Sequence, residues 1–156
     1  MPLPQNRTQP EGETNMKSIF CYSDVHTRGS IALFVLRVVA GLAFMQHGWM
    51  KIQTPFSWMG PEAPVPGIFQ ALAAVSEFGG GLAWIIGLLT PLASFGIFCT
   101  MGFATFTHFS KGDPFVGQGG SYELALVYFS IALLLILAGP GRISLDARLF
   151  GKKQTV

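Results

Sequence analysis

The sequence predicts an all-α, polytopic membrane protein, a four-transmembrane-helix bundle with both termini cytoplasmic. Three observations predict it. Half of the 156 residues are hydrophobic, 12% are charged and 13% are aromatic, and mean hydropathy is positive, the balance of a membrane protein. Four apolar runs, 31–50, 68–89, 91–109 and 122–138, approach or reach the roughly 20 residues that a helix needs to cross hydrocarbon. Seven of the ten Lys and Arg lie in the two tails (Arg7, Lys17, Arg28, Arg142, Arg148, Lys152, Lys153), while the two longer loops hold only Lys51 and Lys111. Basic residues mark the cytoplasmic side, which puts both ends inside and the loops 51–66 and 110–120 outside.

Residues 1–28 are rich in Pro, Gln, Asn, Glu and Thr, and a disordered cytoplasmic tail is expected. Acidic residues precede any apolar core, which is not the order of a secretory signal. The membrane domain follows over 29–150. Its first span could serve as a signal-anchor, but Arg37 within it and three later runs favour a retained span. The second and third runs are nearly continuous, and as one helix they would extend roughly 60 Å, twice the hydrocarbon thickness. The stretch "GLLTPLAS" supplies the turn, with Thr90 able to cap the next helix and Pro91 suited to its first turn. None of the runs alternates as a barrel strand would, so each is read as a helix. The fourth opens at Tyr122 and Glu123 and is stopped by Gly139-Pro140-Gly141. A short basic segment then spaces Ile143, Leu145 and Leu149 to lie on a membrane interface, before a basic tail over 151–156.

Small residues predict close packing. "EFGGGLAWIIG" sets Gly79, Ala83 and Gly87 at four-residue spacing, a stripe that admits a neighbouring helix. The phenylalanines of the third span (Phe95, Phe98, Phe103, Phe106, Phe109) are read as filling, although aromatic walls also suit a flat apolar ligand.

The ionisable residues within the spans are the candidates for function. His47 and Lys51 share a face at the outer end of the first helix, one turn apart. Glu77 lies about 15 Å into the second, near the bilayer middle. His108 closes the third helix, and Tyr122 and Glu123 open the fourth on the same side. Arg37 approaches from the other side, and depth counting places it within about one turn of Glu77, so a buried Arg37–Glu77 ion pair is expected. Intramembrane charges face a bundle interior and find partners. Each also has a plain structural reading: Lys51 as a snorkelling anchor beside interfacial Trp49 and Trp58, the histidines as helix-to-helix hydrogen-bonding groups, the ion pair as a register lock, and Glu123 as a dipole-favoured N-terminal charge. Those readings explain the residues one by one but not their gathering on one side.

Several chemistries are disfavoured. Cys21 and Cys99 form no C-x-x-C, haem-attachment or zinc pattern, so neither a dithiol nor a metal site is expected. The run Gly79-Gly80-Gly81 lies within a span, away from any strand-to-helix phosphate loop. The charge of +2 comes without a basic stripe or recognition motif for nucleic acid. Two histidines on different helices are a weak signal for haem ligation.

The stretches "LRVVAGLAFMQHGWMK", "SEFGGGLAWIIGLLTPLA", "GGSYELALVYF" and "GPGRISLD", in that order and spacing, resemble the DoxX family of small four-helix membrane proteins over about residues 30–147. The matching positions are Arg37, His47, Gly48, Lys51, Glu77, Gly80, Tyr122, Glu123 and Gly139-Pro140-Gly141. The resemblance implies a link to the DoxD subunit associated with thiosulfate:quinone oxidoreductase, and to membrane components of oxidoreductase complexes. Most members have no settled activity, so whether the chain is an enzyme stays open.

Three functions are therefore carried forward. The first is a quinone-linked membrane subunit of an oxidoreductase system. His47, Lys51, His108 and Tyr122 would offer donors to the quinone, and Glu77 and Glu123 a proton route. The second is a non-catalytic anchor for a partner subunit, or a homo-oligomeric scaffold. The third, a small transporter, ranks last because four helices are few and no broken helix is evident. The expected location is the inner (plasma) membrane, with the lipid bilayer as the first partner.

Overall fold

The computed structural model describes residues 26–150, and these hold five α-helices and no strand. The expectations for the tails fall largely outside the described residues. Helix α1 spans Thr27–Gln53, α2 Gly67–Ile86, α3 Thr90–Ser110, α4 Glu123–Ala138 and α5 Leu145–Phe150. The first helix starts four residues ahead of its apolar run and takes Thr27 and Arg28 out of the tail. Three helices, α1 to α3, are long and apolar enough to cross a membrane. The 16 residues of α4 give about 24 Å, short of a full hydrocarbon thickness.

The connections follow local chemistry at most points. Gly87 ends α2 with a left-handed backbone, φ 69° and ψ 42°, and its N–H returns to the Ala83 carbonyl at 2.8 Å, as a glycine C-terminal cap does. Pro91 sits in the first turn of α3. Gly139, at φ 73°, stops α4. Ser144 opens α5 by accepting the Ala147 N–H on its hydroxyl at 3.1 Å, a conventional cap.

Thr90 does not do what its sequence context suggests. Its hydroxyl has no hydrogen-bond partner. The start of α3 is capped instead by Asp146 of α5, whose two carboxylate oxygens accept the N–H of Leu89 at 2.6 Å and of Thr90 at 2.8 Å. A carboxylate from 56 residues away answers both the orphan N–H groups and the positive end of the helix dipole.

In chain order each helix packs on the next, α1 on α2, α2 on α3 and α3 on α4. The core draws Leu33, Ala40 and Phe44 from α1, Trp84 from α2, Ile97 and Met101 from α3, and Ala132 and Leu135 from α4. Phe44 is its hub, edge-on to Trp84 at 5.5 Å and tilted against Tyr128 at 4.7 Å between ring centroids. Trp84 is fully buried and satisfies its indole N–H on the Ser94 hydroxyl at 2.9 Å, as a buried tryptophan must.

Two packing expectations change. The predicted stripe is not one continuous seam: a Cβ at Gly79 would meet only Val75 of its own helix, at 3.9 Å, whereas Gly87 is pressed against Arg37 of α1. The close seam is Gly41 and Gly48 of α1 against Gly81 and Phe78 of α2. A Cβ at Gly81 would lie 2.7 Å from the Gly41 carbonyl oxygen, and one at Gly48 only 2.5 Å from the Phe78 nitrogen. Among the phenylalanines of α3, Phe95, Phe103, Phe106 and Phe109 point outward, and only Phe98 turns in, stacking on Phe129 at 4.1 Å. An outward phenylalanine is at home in lipid, where no water drives it inward. Gly81→Val is accordingly expected to destabilise the bundle by about 1–3 kcal/mol through overpacking, with Gly79→Ala near neutral, measured by denaturant unfolding in detergent.

The helices leave two ends. The turn end carries the α2–α3 turn, the start of α1, the end of α4, and α5. The loop end carries the connections 54–66 and 111–122.

Candidate functional site

At the loop end α1 delivers Lys51 to Glu77 of α2. The ammonium nitrogen lies 2.6 and 2.7 Å from the two carboxylate oxygens. The Glu77 side chain is 2% exposed and that of Lys51 25%, so the acid is internal while the base keeps an opening. The glycine seam explains the pairing. Gly48 sits directly on Phe78; Lys51 is three residues beyond Gly48 on the same helix face, and Glu77 adjoins Phe78. The flexible lysine stem then lets the head fold back along α2.

The loop closes over this pair. The Trp58 ring lies 4.5 Å from the Lys51 ammonium, measured to its centroid, a cation–π contact that replaces part of the lost hydration. Trp58 is held by donating its indole N–H to the Gln70 carbonyl at 2.9 Å. Buried Gln70 also accepts from the Met59 N–H at 3.0 Å and donates to the Val65 carbonyl at 2.9 Å. One glutamine thus ties the 54–66 connection to α2 and holds the tryptophan over the ion pair.

Arg37 is not the partner of Glu77. Height along α2 separates them: Arg37 packs at Gly87, which lies ten residues, about 15 Å of helix, beyond Glu77. Counting depth from the edges of apolar runs assumed that the helices start level, and they do not. Fully buried, Arg37 donates one guanidinium N–H to the Ile143 carbonyl, while its Nε and Nη1 have no partner in the structure. Asp146 is the acidic charge acting on it. The Gly87 carbonyl accepts the Asp146 N–H at 2.8 Å. Around Gly87 the guanidinium, the Asp146 carboxylate and the N-terminus of α3 therefore form one buried polar knot.

The remaining candidates are not gathered into one pocket. His47 is exposed on α1. His108 is joined through Nδ1 to Asp113 at 2.7 Å, which folds the start of the 111–122 connection back on α3. Tyr122 packs on Phe109 and Phe115, at 6.0 and 5.4 Å between centroids. Glu123 is exposed at the mouth of an open groove of about 390 Å³, lined by Leu36 of α1 and by Leu126, Ile131 and Leu134 of α4. Among the described residues no three His, Cys, Asp or Glu converge as a metal site.

Sequence reasoning overlooked four residues. Trp58 was readable only as an interfacial belt residue, and Gln70 carries no sequence signal. Asp113, five residues after His108, and Asp146, inside "GPGRISLD", were both visible as acids near helix ends.

The DoxX family model matches residues 32–110, which run from α1 through α3 and include the Lys51–Glu77 pair. The chain belongs to the DoxX family. A Haemophilus influenzae protein described only as uncharacterised is 33% identical over 123 residues, 77% of this DoxX chain and 92% of its own length. The inner membrane protein YqjF of Escherichia coli is 33% identical over 132 residues, 79% of this chain and 95% of its own. The E. coli inner membrane protein YphA is 29% identical, covering 81% and 96%. No solved structure matches the chain. With its apolar helices, this DoxX chain is a multi-pass membrane protein.

Proposed function

We propose that the protein is a four-span inner-membrane subunit that serves an oxidoreductase system by presenting the Lys51–Glu77 pair to a quinone-type ligand. The observation that carries the reading is the asymmetry of the pair, with an internal carboxylate and an amine partly open beneath Trp58. Two of the three ammonium N–H groups go to Glu77, and the third is available to a carbonyl oxygen. Proton exchange within the pair would let Glu77 hold a proton next to that oxygen, and the surrounding apolar helices suit a ring and a tail. Electrons would come from a partner subunit. The fourth span is α4 completed by its flanking residues, and the excess of basic residues in the tails favours cytoplasmic termini.

Relatives named as inner membrane proteins support the location. A non-catalytic anchor is the second reading, favoured by His47 and Glu123 lying exposed instead of in a common cavity.

The test is quinone retention. Protein purified in mild detergent is expected to carry quinone, Lys51→Arg to keep it and the folded fraction of Lys51→Met to lose it. Quinone-free wild type, or equal retention by a folded Lys51→Met variant, would leave the anchor reading in its place. A cysteine at position 115, labelled in intact cells only by reagents applied from outside, is expected for the proposed orientation; labelling only from the cytoplasm would reverse it.

A further inference from the structure

We propose that the turn end is a binding surface for the headgroups of anionic phospholipids, independently of what the loop end takes. From Gly139 to Phe150 the charged residues are Arg142, Asp146 and Arg148. The fold turns the one acid inward. Asp146 is fully buried with both oxygens occupied by α3, whereas Arg142 and Arg148 are exposed. The outward charge of this segment is therefore wholly positive. The Arg142 N–H donates to the Ser30 hydroxyl at 3.2 Å, which ties the segment to the first turns of α1, where Arg28 is also exposed. The sequence continues into Lys152 and Lys153, outside the described residues.

Apolar side chains are interleaved with these charges. Ile143, Leu145, Leu149 and Phe150 are exposed at the end of the bundle where α1 begins and α4 ends. In water that exposure has no use. At a membrane surface the apolar groups enter the acyl boundary while the guanidinium groups reach the phosphates. A basic residue close to an anionic surface is worth about a five-fold gain in binding. The polar knot around Gly87 anchors this segment, so the headgroup site is preformed.

Short-chain phosphatidylglycerol titrated into the detergent-solubilised full-length protein, read by native mass spectrometry with phosphatidylcholine as the control, tests this. Preference for phosphatidylglycerol is expected in the wild type, weakened about five-fold in Arg148→Gln and about 25-fold in Arg28→Gln with Arg148→Gln, and abolished by high salt. Equal binding of the two lipids, or an unchanged preference in a folded variant, would overturn it. If the double variant fails to fold, Arg148→Gln alone decides, since Arg148 is exposed. Arginine-dependent binding of a soluble acidic peptide without lipid preference would make the surface a protein-docking site and the lipid assignment wrong.

Discussion

Asp146→Ala is expected to destabilise the folded protein by about 3–5 kcal/mol. The magnitude comes from two losses at once. The Leu89 and Thr90 N–H groups lose a charged acceptor at 2.6 and 2.8 Å, and hydrogen bonds to charged groups are worth about 1.5–3 kcal/mol each. Arg37, fully buried with one hydrogen bond and two unpartnered nitrogens, loses the charge that balances it. Truncation after Ser144 should do comparable damage, because α5 carries the carboxylate. Leucine at both positions 37 and 146 should recover only part of the loss. The buried charge is gone, but the start of α3 still lacks its cap, at about 1–2 kcal/mol. Unfolding in mixed micelles measures all four proteins. Stability of Asp146→Ala within about 1 kcal/mol of the wild type would show that the knot is not a structural centre.

Lys51→Met is expected to cost about 3–5 kcal/mol as well, because it leaves Glu77, 2% exposed, as an unpaired charge. Here the double replacement behaves differently. Lys51→Met with Glu77→Leu should return close to wild-type stability, since a buried ion pair exchanged for apolar groups of similar volume is often neutral or better. A double-mutant cycle then reads strong coupling for Lys51 with Glu77 and additivity for Arg37 with Glu77, which lie about 15 Å apart along α2. Coupling in the second cycle and none in the first would reverse the pairing described here. The same variants enter the quinone experiments, so the proportion folded has to be measured beside any loss of binding.

What the sequence made legible was local. Long apolar runs, the glycine stop after Ile86 and the proline one residue into α3 act within a few residues of themselves, and they mark the elements. The register between elements was not legible. Whether Glu77 meets Arg37 or Lys51 depends on how far α1 slides along α2, and that is set by Gly41 and Gly48 meeting Gly81 and Phe78, residues some 30 to 40 positions apart. The glycine-rich stretch announced a close approach but not that, of three consecutive glycines, Gly81 meets α1 and Gly80 meets Ile97 of α3. Asp146 illustrates the same limit. A threonine followed by proline reads as a helix start, and nothing near Thr90 shows that a distant carboxylate takes over the capping. The phenylalanines of α3 show a further one. Hydropathy separates apolar from polar, but in lipid the core face and the outer face are both apolar, so Phe98 and Phe103 look alike until the neighbouring helix is in place.

The six candidate residues divide along the same lines. Lys51 and Glu77 come together because a tight helix seam aligns them, and His108 finds Asp113 through a short turn. His47 and Glu123 are exposed, and neither has a contact with the pair among those that hold Lys51 to Glu77 and Trp58. The functional proposal therefore rests on Lys51, Glu77 and the overlying Trp58.

A photoreactive quinone analogue, used on the protein in its native membrane and mapped by peptide mass spectrometry, tests that proposal most directly. Saturable labelling is expected within residues 49–58 and 70–78, competed by unlabelled quinone and lost in folded Lys51→Met protein. Absence of saturable labelling, or labelling confined to the groove beside Glu123 and indifferent to Lys51, would contradict it.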